Sequence, residues 1–288
     1  MPSASLVLET PAGRFLRRFL RQRPALLGLF LASGVLLAAA GAPLLAPYAP
    51  GANDFDALLV PPLTRGHLLG TDELGRDILA RVIWGARTSM QAGVFATLLA
   101  IAVALPIGLT AGYYRGWWDS VAMRLTDTLL AFPFLIIAVG LAAILGPSLG
   151  NATLAIGLVQ IPKIVRVARG EMLSLREESF VGAAIADGAG DGFILLRQVL
   201  PNITNTLLVQ ATVIIPIAII AESTLSFLGL GVQPPTPSWG VMLTAAQPFM
   251  TQAPWLAVIP GLAIVFATLS FNLLGDGLRD AWDPKGRR

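Results

Sequence analysis

Apolar positions dominate this chain in long unbroken runs. From Arg23 to Asp54, from Arg87 to Arg115 and from Asp127 to Lys163 no charged residue occurs. Uncharged runs of this length match no period-2 strand pattern and no single amphipathic stripe; they have the length of membrane-crossing helices, which need about 20 apolar residues. The first run predicts a span over Ala25–Leu45 and the second a span near Ala92–Gly112. The third is too long for one crossing: at about 1.5 Å per residue it would reach roughly 50 Å against a hydrocarbon core of about 30 Å. The turn Gly146-Pro-Ser-Leu-Gly-Asn151 divides it into Thr128–Leu145 and a shorter Ala152–Val167. A fifth span follows at about Ile203–Phe227 and a sixth at about Leu256–Leu274, which predicts an all-α integral membrane protein of six transmembrane helices with both termini on one side.

Basic residues choose the side, because cytoplasmic loops of membrane proteins are enriched in Lys and Arg. Sixteen of the twenty lie before span one (Arg14, Arg17, Arg18, Arg21, Arg23), between spans two and three (Arg115, Arg124), around the loop between spans four and five (Lys163, Arg166, Arg169, Arg176, Arg197) or at the end (Arg279, Lys285, Arg287, Arg288). That side is expected to be the cytoplasm. The other four, Arg65, Arg76, Arg81 and Arg87, fall in an external segment where Asp72, Glu73 and Asp77 offset them. Ahead of span one, Phe15, Leu16, Phe19 and Leu20 share one helical face and Arg14, Arg17, Arg18 and Arg21 the other. This suits a short helix in the membrane interface, the alternative being a disordered basic tail. A signal peptide is disfavoured because its apolar core is usually 7–15 residues, shorter than this one.

Composition narrows the function classes. The 288 residues are 55% hydrophobic and 13% charged, with a mean hydropathy of +0.72 and a net charge of +3, too small to suggest nucleic acid as a partner. Cysteine is absent, which removes disulfides and thiolate chemistry, and the single His67 is read as a polar loop residue. Neither of the two lysines, Lys163 and Lys285, sits in a phosphate-cradling Gly-x-x-x-x-Gly-Lys loop. A zinc-binding His-Glu-x-x-His helix, a Gly-x-Ser-x-Gly elbow and paired intramembrane carboxylates are likewise missing, so an enzyme is poorly supported.

The loop between spans four and five is the specific feature. Phe180-Val181-Gly182-Ala183-Ala184, then Gly188-Ala189, then Leu200-Pro201 predict two short helices joined by a glycine turn. Gly188 and Gly190 can take left-handed conformations, Asp191 can cap the second helix, and Pro201 starts span five where its missing N–H is tolerated. Ala183 and Ala184 leave the backbone approachable by another protein. By itself the pattern also fits an ordinary cytoplasmic helical hairpin.

With its neighbours the loop carries a resemblance. It is similar to the EAA loop of ABC-importer permeases, which fits a cleft on the ATPase. Four further segments resemble the second (C-type) permease of dipeptide, oligopeptide and nickel importers: Leu69-Gly-Thr-Asp-Glu-Leu-Gly-Arg-Asp77 with Gly85-Ala-Arg-Thr-Ser89; Met123-Arg-Leu-Thr-Asp127 with Ala131-Phe-Pro133; Ala221-Glu-Ser-Thr-Leu-Ser-Phe-Leu-Gly-Leu-Gly231 with Pro234-Pro-Thr-Pro-Ser-Trp-Gly240; and Asn272-Leu-Leu-Gly-Asp-Gly-Leu-Arg-Asp280 with Asp283-Pro-Lys285. The loop departs from the family pattern at Gly182, where the Glu of the name stands, at Ile185 in place of a basic residue, and at Asp187 in place of an apolar one.

The resemblance implies a type I ABC-importer permease fold in the bacterial inner membrane. The chain then divides into a basic amphipathic N-terminus (1–24), a first span (25–47), an external segment (48–88), a five-span core (89–276) with its EAA loop at 168–201, and a cytoplasmic tail (277–288). It implies a homologous permease as partner, two ABC ATPase subunits that bind the ATP and Mg, an external substrate-binding protein, and no cofactor in this chain. Short peptides are the implied substrate, with nickel and glutathione systems sharing the motifs; a self-contained channel or secondary transporter is the alternative from another class. Glu222, the charge closest to the bilayer interior, has two readings: an interfacial carboxylate bonded to the partner subunit, or a carboxylate facing the translocation path.

Overall fold

The computed structural model describes residues 11–64 and 66–282. Arg65 and the tail residues Lys285, Arg287 and Arg288 lie outside the described residues, as does the Asp283-Pro-Lys285 segment. In chain order the helices are α1 (Pro11–Arg21), α2 (Arg23–Ala40), α3 (Ala42–Leu45), α4 (Ile78–Tyr114), α5 (Gly116–Leu130), α6 (Phe134–Leu145), α7 (Leu149–Arg176), α8 (Ser179–Ala186), α9 (Asp191–Phe193), a π-helical turn over Ile194–Val199, α10 (Leu200–Phe227), α11 (Trp239–Ala246) and α12 (Trp255–Trp282).

Among the described residues, four helical stretches are long and apolar enough to cross a membrane: α2, α4, the continuous helix Asp191–Phe227, and α12. The pair α5–α6 is a fifth candidate but bends by 89°. The expected third span, Thr128–Leu145, therefore corrects to a broken element: Thr128–Leu130 belong to α5, and α6 begins only after Pro133. The cause is local, since proline at the α6 N-cap, with ψ of 123°, cannot continue the preceding helix.

The expected fourth span also differs. Helix α7 runs 28 residues and absorbs the stretch 168–176 assigned to the loop, and it falls short of the apolarity of the other spans. Its inner half carries Lys163, Arg166 and Arg169, which are partnered: Lys163 lies 5.5 Å from the Phe134 ring, Arg166 donates to Asp127 at 2.5 Å, and Arg169 forms a two-pronged pair with Asp119.

Why α7 sits where it does is written in α4. Ala92, Ala96, Ala100, Ala104, Gly108 and Gly112 recur every fourth residue, and all are buried. Without a solvent-driven hydrophobic force between helices in lipid, a row of small residues lets two backbones approach and gain dispersion contact. At Gly108 the approach is closest: an added Cβ would stand 2.7 Å from Ala168 Cβ and from the Val165 carbonyl oxygen. Ile156, Ile164, Val165 and Met172 fill the seam from the other side.

Both ends of the bundle are fixed by side-chain contacts. At one end Phe15 of α1 stacks on Trp282 of α12 at 4.2 Å, which brings the N-terminal helix to the chain's last helix. Phe19 is buried there, while Leu16 and Leu20, expected on the same face, are half exposed. The ion pairs of Arg115, Arg166 and Arg169 belong to the same end. At the other end the segment from Tyr48 to Asp77 folds over the start of α4. Asp77 caps that helix, accepting from the Ala80 N–H at 2.7 Å, and His67 Nδ1 is 3.1 Å from the same carboxylate. Asp72 accepts from Arg76 Nε at 2.7 Å and lies 3.5 Å from Arg81 Nε, so these two arginines are matched by a carboxylate of the same region. The helix begins at Ile78, well before the predicted span at 92, because this cap starts it there.

Candidate functional site: the loop between α7 and α10

Helix α8 ends in a Schellman motif. The Gly188 N–H donates to the Ile185 carbonyl at 3.0 Å, the Ala189 N–H donates to the Ala184 carbonyl at 3.0 Å, and Gly188 sits at φ +75°. The left-handed turn expected at Gly188 is thus present. Gly190 does not share it: at φ −69° and ψ 150° it is the extended N-cap of α9. Asp191, expected as the cap, is instead the first helical residue, and its carboxylate accepts from the hydroxyls of Tyr113 and Tyr114.

The loop has two faces. Val181 is completely buried, with Ala184, Ala189 and Leu200 packed around it against Leu109, Tyr113, Met172 and Ile203. The opposite face shows Phe180, Gly182, Ala183, Ile185 and Gly188 to the outside, and an added Cβ at Gly182 or Gly188 would meet nothing within 4 Å. Ile185 is 46% exposed and Phe193 50% exposed, apolar surface at the polar end of the bundle. Such a patch on otherwise small residues has the character of a protein contact. Pro201 lies one residue inside α10, just after the π turn. A proline ring clashes with the carbonyl four residues before it in regular α-helix, and the wider turn, with the Leu200 N–H bonded to the Leu195 carbonyl, makes room. Fifth-span helix and loop are therefore continuous from Asp191, rather than separated at Ile203.

Glu222 takes a place that neither sequence reading foresaw. It has no exposed surface in this subunit. Ser89 of α4 donates to Oε2 at 2.9 Å and Ser226 donates to Oε1 at 2.7 Å. The Ser226 hydroxyl in turn accepts from the Val232 N–H at 3.0 Å, tying the carboxylate to the segment that leads into α11. Nearby, Trp239 Nε1 donates to the Val82 carbonyl at 3.1 Å. Within this subunit the side chain is enclosed, and it joins α4, α10 and the α11 region. Asp127, at the inner end of α5, pairs with Arg166 of α7.

Comparison with known proteins bears on this arrangement. The family model described as binding-protein-dependent transport system inner membrane component matches residues 104–288. The chain belongs to this family. A second model, the N-terminal TM domain of oligopeptide transport permease C, matches residues 10–62. The glutathione transport system permease protein GsiD of Escherichia coli O1:K1 / APEC is 45% identical over 279 residues, covering 96% of this chain and 92% of that protein. The dipeptide transport system permease protein DppC of Haemophilus influenzae is 44% identical over 282 residues, covering 96% of each. A chain from the inward-facing MetNI methionine ABC transporter superposes with a TM-score of 0.59 at 14% identity, over 69% of this chain and 95% of its own, which shows a shared fold.

As a member of the binding-protein-dependent permease family, the chain is a multi-pass transmembrane subunit of an ABC importer with the importer permease fold. The contacts that sequence reasoning missed are those of Asp191 with Tyr113 and Tyr114 and those of the hydroxyls around Glu222. Each joins residues far apart in the chain, so no spacing rule announces it. The only hint was compositional: adjacent tyrosines at a helix end, and serines flanking the lone carboxylate of α10.

Proposed function

We propose that this subunit forms half of a translocation path for short peptides, paired with a homologous permease, and that its 177–199 loop couples the path to two ABC ATPase subunits. The observation that carries this is the loop itself: an α8–turn–α9 unit, buried on the Val181 side and small and apolar on the Gly182–Ala183–Ile185 side, at the end of the bundle where the basic residues gather. A permease family without a phosphate-cradling loop needs its ATP hydrolysed elsewhere, and this face supports contact with that machinery. By the excess of Lys and Arg, that end and both termini face the cytoplasm. The Tyr48–Asp77 segment and α11 then face outward, where an external binding protein would deliver substrate.

The relatives named for glutathione and for dipeptides are 45% and 44% identical, so identity does not choose between them. Glutathione is itself a tripeptide, and a short peptide is the class that embraces both. The test is reconstitution of the complete assembly in liposomes, with labelled glutathione, a labelled dipeptide and nickel offered separately. Uptake of a peptide that requires ATP, the ATPases and the binding protein is the expected result. Uptake by this permease pair without the ATPases would favour a channel or secondary transporter instead, and uptake of nickel alone would refute the peptide assignment.

A further inference from the structure

The inner end of α4 carries two adjacent tyrosines that both reach across to the coupling loop. Tyr113 donates its hydroxyl to Asp191 Oδ1 at 2.9 Å, and Tyr114 donates to Asp191 Oδ2 at 2.8 Å. Tyr113 is buried and Tyr114 largely exposed, their rings edge-to-face at 5.1 Å, so one carboxylate closes over the end of the helix from two sides. The other flank of the loop is held by the same helix end. Arg176, the last residue of α7, donates to the Tyr113 carbonyl and lies over the Tyr113 ring, and Arg115 donates to Glu177 at 2.5 Å.

Mechanically the loop has a choice of partner. Its α8 and α9 are eight and three residues long, too short to hold their own orientation. On the far side α9 continues into α10 through the π turn Ile194–Val199, the kind of irregular segment that serves as a joint within a helix. Left to the covalent chain, α9 would follow α10. The carboxylate–tyrosine contact ties it to α4 instead, and α4 is packed backbone to backbone with α7.

We infer that Asp191 is the positioning residue of the coupling loop: held by Tyr113 and Tyr114, it makes α8 and α9 move with the α4–α7 pair rather than with α10. This rests on the coupling reading of the loop. It assigns a role to three side chains that form no part of the exposed docking face. A push on that face is then delivered to α4, which runs about 56 Å to the opposite end of the bundle. Without the contact, α8 keeps its Val181 packing and α9 is left to follow α10 through the π turn, so part of the same push is lost there.

The experiment uses the complete assembly in proteoliposomes, with glutathione and alanyl-alanine as probes, and reads three quantities: ATPase co-purification, hydrolysis rate, and uptake per ATP hydrolysed. Asp191→Ala and the double variant Tyr113→Phe/Tyr114→Phe are each expected to retain the ATPases and to lower uptake per ATP about tenfold, the factor that losing a charge-assisted hydrogen bond applies to a two-state balance. Combining all three substitutions should be no worse than Asp191→Ala alone, since they break one contact. Asp191→Asn keeps an amide oxygen to accept from one hydroxyl and an NH2 to donate to the other, so it should restore most of the coupling. Unchanged coupling in Asp191→Ala, additive losses in the triple variant, or Asp191→Asn as defective as Asp191→Ala would overturn the inference. So would loss of the ATPases from Asp191→Ala, which would place the carboxylate in the docking face itself. Ala183→Trp, on that exposed face, separates the two ideas: if it keeps both ATPases and uptake, the coupling reading fails whatever Asp191 does.

Discussion

Replacing Gly188 by valine perturbs the coupling loop at its tightest point while leaving the membrane core alone. At φ +75° a residue with a Cβ is strained, and the cost is about 1–2 kcal/mol. The space around the position is open, since an ideal Cβ there meets no atom beyond the adjoining residues within 4 Å. The Schellman bonds from Gly188 to Ile185 and from Ala189 to Ala184 depend on that left-handed turn, so relief of the strain means opening the turn. A cost of this size shifts the population of the closed turn by a factor of roughly 5–30. The open surface around Gly188 is also the surface an ATPase would cover, where a branched side chain overpacks by typically 1–3 kcal/mol. The variant should therefore insert and pair with its partner permease normally, yet lose ATPase co-purification or substrate-stimulated hydrolysis, with uptake falling in step. Ser174→Ala, on the exposed side of α7, serves as the control. Full uptake by Gly188→Val would refute the coupling role of this turn. Ala184 makes a poorer probe than its sequence position suggests, since it packs into the Val181 cluster and a bulky residue there would disturb the fold first.

Glu222→Ala strands the Ser89 and Ser226 hydroxyls in a buried site, a loss of about 1–3 kcal/mol. The thermal midpoint of the purified assembly should fall, and uptake of free and amino-blocked dipeptides should decline in parallel; a selective loss of the free-amine substrate would show that the carboxylate meets substrate after all. Because the chain lacks cysteine, sidedness can be read by single-cysteine labelling. Leu63→Cys, 82% exposed, should react with an impermeant maleimide in intact cells and Gly182→Cys only after permeabilisation; the reverse pattern would invert the topology.

Much of this molecule is a one-dimensional matter. Transfer of an apolar run into lipid is a sum over neighbouring residues, so α2, α4, α10 and α12 can be read from the spacing of charges alone. The Schellman turn is equally local: a glycine between two short helical patterns has few other conformations to serve. The bend at Ala131–Pro133 was within reach of the same reasoning, since the proline was visible, but an uncharged run conceals a change of direction. Helix α7 marks the boundary. Its charges look like a loop's, and only tertiary structure supplies them with partners, Asp119, Asp127 and Phe134, along a continuous helix. The fates of the two carboxylates were decided entirely by tertiary structure. Glu222 is buried because Ser89, 133 residues earlier, stands opposite it, and Asp191 turns from capping to clamping because two tyrosines 77 and 78 residues earlier end the neighbouring helix. A buried carboxyl group is tolerated only where hydrogen-bond partners converge on it, and convergence is a property of packed helices, set here by a row of alanines and glycines along α4 that brings α7 and α10 to its sides.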